Sequence, residues 1–134
     1  MPGEFRVKVM YEEIVKSTAK MVALWQCYGF CHGVLNTDNM SMLGLTIDYG
    51  PYGFLEHYDP KFICNHSDDK GRYCYSNQPD ICKWNLIKLA EALDPVLPLA
   101  TSKAFLEANY DNLFNEVYQS KLCEKLGLVD DGQE

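Results

Sequence analysis

The residues of this 134-residue chain best suited to chemistry lie between His32 and Gly50. Asp38-Asn39 and Asp48 are two points rich in hard oxygen donors, separated by the apolar run Met42–Ile47. A hairpin that brought them together would offer carboxylate and amide oxygens to a cation such as Mg²⁺ and to the phosphates it carries. The six cysteines, Cys27, Cys31, Cys64, Cys74, Cys82 and Cys123, are the other reactive groups. Nothing in the chain reads as a secretory signal and the apolar content is ample, so free thiols are expected. Cys27-x-x-x-Cys31-His32 and Cys64-x-His66 with Cys74 invite a zinc reading, but their spacings are not those of standard zinc motifs.

The elements that must position these groups follow from periodicity. Residues 10–27 read as an amphipathic helix, with Met10, Ile14, Met21, Trp25 and Tyr28 near one face and Val22 and Leu24 widening it. Gly29 breaks that pattern, and 28–41 is a loop by its Gly, Asn, Asp and Ser content. Met42 to Ile47 reads as a strand or tight β-hairpin near 42–48, bent at Gly44. Asp48 to Gly53 is a turn, since two further glycines and a proline fall within six residues. A long polar loop, 54–80, leads into a helix over 80–93 that is apolar nearly all round. Such a helix belongs at the centre of a packed body, which suggests neighbours beyond this chain. Pro95 and Pro98 end it, and 102–126 reads as a third helix, or two, with Leu106, Tyr110, Leu113, Phe114 and Val117 as its core stripe and Gly127 at its end.

Bulk composition bounds the function. The apolar fraction of 47% implies a folded chain, and the length suits a single domain or part of one. A formal net charge of −7 argues against non-specific nucleic-acid binding, which needs clustered Lys and Arg. No run reaches the roughly 18–20 apolar residues of a membrane span. The opening Met1–Arg6 reads as neither a signal nor a transit peptide.

Counting from His32 sharpens the metal reading. In the protein-kinase pattern His-Arg-Asp-x-x-x-x-Asn, followed later by Asp-Phe-Gly, the His and Asn stand as His32 and Asn39 do here. Asp48-Tyr49-Gly50 takes the place of Asp-Phe-Gly, but the position of the catalytic Asp is Val34, which cannot accept a proton. The nearest replacement is Asp38. In loops of this kind the His packs and hydrogen-bonds to hold the loop. The stretches His32–Ser41, Gly44–Pro51, Cys64–Asp68 and Gly71–Tyr73 resemble the selenoprotein O (YdiU) family, and the match continues through Asn77-Gln78-Pro79, Trp84-Asn85-Leu86 and Lys125–Leu128.

This resemblance implies a mainly α (α+β) chain, the C-lobe fragment of a protein-kinase-like fold, with 1–9 as an N-terminal extension, 10–128 as the lobe portion and 129–134 as an acidic tail. It implies a pseudokinase that transfers AMP from ATP to Ser, Thr or Tyr hydroxyls of proteins, with Mg²⁺ or Mn²⁺ as the metal. By matching positions, Asp38 would be the general base, and Asn39 and Asp48 would hold the metal and, through it, the ATP phosphates. Cys64, in the segment that matches an activation loop, is a candidate redox thiol. Eukaryotic members are mostly mitochondrial; without a recognisable transit peptide the fragment itself is expected in the cytoplasm. Complete members are several times longer, and no Gly-rich phosphate loop is present here, so the fragment alone is expected to be inactive. The rival reading is a non-catalytic fragment that at most binds a partner.

Overall fold

A computed structural model describes residues 2–128. Three long helices dominate it: α1 (Pro2–Tyr28), α2 (Gln78–Leu93) and α3 (Leu99–Lys125). Two short strands, β1 (Phe30–Cys31) and β2 (Gly53–Phe54), pair antiparallel, with Phe30 opposite Phe54 and Cys31 opposite Gly53. The mainly helical expectation with a small sheet is met, but the sheet is elsewhere than expected. Residues 42–48 form a turn and an irregular stretch, not a hairpin. Gly44 adopts φ 68° there, and a Cβ on it would meet Ser17 Cβ at 2.7 Å and Ser17 O at 3.0 Å. The run therefore meets α1 through Gly44 as a bent loop, while Met42, Leu43, Leu45 and Ile47 stay exposed.

The helix ends also differ from the sequence reading. The residues read as an extension before residue 10 continue α1 back to Pro2, because proline is well suited to the first helical position, where its missing N–H costs nothing. The tail 129–134 lies outside the described residues. In α1 the buried face runs Tyr11, Ile14, Val15, Thr18, Ala19, Val22 and Trp25, while Met10 and Tyr28 point away from it. α3 is one helix and starts at Leu99, where the Asp94 side chain accepts the first free backbone N–H at 2.8 Å. It ends as the glycine predicts: Gly127 has φ 74°, and Leu128 N and Gly127 N donate to Cys123 O and Glu124 O.

The core lies where the three helices meet. Tyr11, Val15, Val22, Cys82, Leu86, Ala90, Leu97, Leu106 and Tyr110 fill it. Buried tyrosines need partners, and all three have them: Tyr11 Oη donates to Leu86 O at 2.9 Å, Tyr110 Oη to Pro79 O at 2.6 Å, and Tyr75 Oη to Gln26 O. α2 is covered on one side only, since Trp84 is 41% exposed and Ile81, Ile87 and Leu89 are half-buried.

Candidate functional site

β1 delivers the chain from the end of α1 to His32, and everything at the site hangs on that residue. His32 is 1% exposed, and its ring stacks on Trp25 with centroids 5.8 Å apart. Its Nε2 lies 2.7 Å from Ile47 O, so that nitrogen carries the proton, and Nδ1 is left to accept the Val34 N–H at 3.3 Å. One imidazole thus ties the segment after β1 to the residue before Asp48. This is the holding role expected of His32.

The three proposed site residues sit on the two segments so joined. Thr37–Asn39 form one turn of 3-10 helix, closed by Asn39 N donating to Asn36 O. Asn39 is half-buried, and its Nδ2 donates to Val34 O at 2.9 Å. With the amide nitrogen spent on a carbonyl, Oδ1 remains as the free acceptor, which suits an oxygen ligand for a hard cation. Asp38 is exposed, as a base facing an incoming hydroxyl would need to be. Asp48 is exposed too, and is the one non-glycine residue with positive φ, 57°, among the described residues. A non-glycine in the left-handed region costs about 1 kcal/mol or more and persists where surrounding structure holds it, commonly at functional sites. Here the His32 bond to Ile47 O and the turn bond Gly50 N to Asp48 O are what hold it. Asn39 and Asp48 each carry a side-chain oxygen of the hard type; among the described residues no group of three His, Cys, Asp or Glu side chains could hold a metal on its own. That also gives the zinc reading of the cysteines no support.

Behind the site, Cys64 packs on the same backbone. Its Sγ donates to Cys31 O at 3.4 Å, and Asn65 Nδ2 donates to Gly33 O at 3.3 Å. The expected long loop 54–80 is pinned rather than free. Tyr75 N and Ser76 N bond Phe62 O and Pro60 O, and Asp68 accepts from Arg72 N and Tyr73 N through its two oxygens. Burial pushes the Cys64 thiol up, and pushes Cys31 and Cys82 up to about 12. All six cysteines are free, and Cys123 is the exposed one. A maleimide time course at pH 8 is therefore expected to label Cys123 first, Cys64 more slowly, and Cys31 and Cys82 last, since the thiolate is the nucleophile. Labelling of Cys31 as fast as Cys123 would contradict this packing.

Sequence reasoning missed two amides. Gln78, fully buried at the start of α2, accepts from His32 N at 2.9 Å and donates to Phe30 O and Gln26 Oε1, both at 2.8 Å. Asn85 donates to Leu35 O at 3.0 Å. They stand seven apart on α2, but the sequence reading began that helix at residue 80 and so left Gln78 off it; the available signal was that both fall in stretches that match the family, with no role given to either.

The family model described as "Protein adenylyltransferase SelO" matches residues 3–134. The chain belongs to the SelO family. It is 60% identical over 124 residues to the mitochondrial protein adenylyltransferase SelO of Mus musculus, covering 92% of this chain and 19% of that protein. The Homo sapiens counterpart is likewise 60% identical over 124 residues, with 18% of its length covered. The protein nucleotidyltransferase YdiU of Cronobacter sakazakii is 51% identical over 126 residues, which span 94% of this chain and 26% of YdiU. The chain thus spans about a fifth to a quarter of these SelO and YdiU relatives. No helix among the described residues is long and apolar enough to cross a membrane.

Proposed function

We propose that this chain carries the base and metal-ligand end of a pseudokinase-type protein adenylyltransferase, on part of a kinase-like C-lobe. ATP and a protein bearing a Ser, Thr or Tyr hydroxyl are the substrates. The hydroxyl oxygen attacks the α-phosphorus of ATP, the bond to the β-phosphate oxygen breaks, and pyrophosphate leaves. Asp38 takes the hydroxyl proton, and Asn39 and Asp48 would hold Mg²⁺ or Mn²⁺, which would offset charge on the phosphates. The observation that carries this reading is the His32 imidazole joining the Asn39 segment to the Asp48 segment, with valine at 34 and a free, exposed carboxylate at 38. The naming of the mouse and human relatives as protein adenylyltransferases supports the reaction class, and their mitochondrial designation supports that compartment for the whole protein. Of the two roles open to Cys64, redox thiol or structural thiol, its bond to Cys31 O and its burial favour the structural one.

The test uses the longest natural protein that contains this segment. With ATP labelled at the α-phosphate, protein should become labelled; with ATP labelled at the γ-phosphate, it should not. Label from the γ-position would mean an ordinary kinase, and label from neither would remove the enzymatic reading.

A non-catalytic binding role is the second reading. It is favoured by an apolar groove of about 320 Å³ lined by Leu24, Trp25, Tyr28, Phe30, Tyr49 and Phe54. Calorimetry of the chain with Mg²⁺-ATP and Mn²⁺-ATP separates the two, since micromolar binding counts against a purely partner-binding module.

A further inference from the structure

We propose that Gln78 is a positioning residue that sets the relative placement of the two metal-ligand segments by fixing His32. This deepens the adenylyltransferase reading and rests on it. The side chain of Gln78 has one acceptor and two donor hydrogens, and all are used in a site with no solvent access. Its Oε1 takes the His32 N–H, which fixes the amide orientation without ambiguity. Its Nε2 is then committed to Phe30 O, on the strand that leads into His32, and to Gln26 Oε1, at the end of α1.

Gln26 is held in turn. Its Nε2 donates to Tyr75 O at 3.0 Å, and Tyr75 Oη donates back to Gln26 O. The relay therefore has rigid ends: α1 on one side, and the turn entering α2 on the other. His32 receives that rigidity at its backbone and passes it on through its ring, to Val34 N on one side and Ile47 O on the other. Without Gln78 the His32 backbone N–H is orphaned inside the protein, and the ring loses its fixed height relative to Asp48. Buried networks of this kind act as a unit, so weakening one member should move the far end.

Two substitutions probe different halves of the amide. Gln78→Met keeps the volume and removes every hydrogen bond. Gln78→Glu keeps the acceptor for His32 N but turns the donor end into a second acceptor, facing Phe30 O and Gln26 Oε1. Both should loosen the relay. The expected result in the longest natural protein is a tenfold or greater rise in the Mn²⁺ concentration giving half-maximal AMP transfer, with KM for the protein substrate unchanged. A variant that only lowered stability would not separate those two quantities.

A second readout needs no activity. Imidazole nitrogen shifts of His32 in the 134-residue chain should report a single Nε2–H tautomer. Gln78→Met should convert it to a mixture. If either Gln78 variant fails to unfold cooperatively, Gln26→Met loosens the same amide from the other side and is expected to give the same two changes, smaller in size. Unchanged metal dependence, or an unchanged single tautomer, in a folded variant would overturn the proposal. If the parent protein transfers no AMP at all, the adenylyltransferase reading fails, and the tautomer measurement alone then decides what Gln78 does to His32.

Discussion

Replacing Asp48 with Asn in the longest natural protein is expected to lower AMP transfer by about 10²-fold or more, roughly 3 kcal/mol of transition-state stabilisation. Asparagine is the right probe because Asp48 sits at φ 57°, a region that Asn tolerates better than other non-glycine residues. Asp48→Ala would mix loss of the carboxylate with added backbone strain of about 1 kcal/mol. Asp38→Asn is expected to give a comparable loss, but of a different kind. Removing a base should leave metal dependence unchanged and lower kcat, whereas removing a metal ligand should raise the metal concentration required. Thermal unfolding should barely change for either, because both side chains are exposed. Label incorporation that survives both substitutions would show that the chemistry is carried by other residues.

The second large effect is on folding. Gly33 lies directly between His32 and Val34, at φ 91°, and is itself buried. A Cβ there would meet Cys64 Sγ at 2.6 Å and Pro51 Cγ at 3.2 Å. Gly33→Ala is therefore expected to cost about 2–4 kcal/mol, the sum of a strained backbone and an overpacked contact. The two parts can be separated. In a Cys64→Ala background the clash with sulfur is gone while the φ strain stays, so the added cost of Gly33→Ala should fall by about half. Urea denaturation of the four chains measures this, as shifts in midpoint at constant slope. A cost below about 0.5 kcal/mol for Gly33→Ala would mean that Cys64 does not pack where it is described.

The parts of the fold that were legible had local causes. The existence of α2 and α3 and their C-terminal ends followed from apolar spacing and from Pro95 and Gly127 as stop signals, while their starts at Gln78 and Leu99 lay two or three residues earlier than read. The role of His32 followed from its place in the motif. The parts that were not legible had non-local causes. Pro2 and Gly3 look like helix breakers in isolation, yet α1 begins at Pro2. Met42–Ile47 has strand-like composition, but its partner surface is α1 through the Gly44–Ser17 contact, and β1 pairs instead with Gly53–Phe54. Composition cannot distinguish a strand from an exposed apolar loop, because Met42, Leu43, Leu45 and Ile47 would read the same in either and only the Gly44 approach to Ser17 decides.

The same division applies to the site. The sequence by itself showed that Val34 cannot act as a base, and its motifs carried the resemblance to the family that the chain belongs to. Only the tertiary structure decided what holds the site residues in place. Gln78 is 46 residues from His32 in sequence, and Cys64 is 33 from Cys31. The physical reason is that a buried amide or thiol takes its meaning from the partner that satisfies it, and that partner is chosen by the packing of α1, α2 and the loop between the strands.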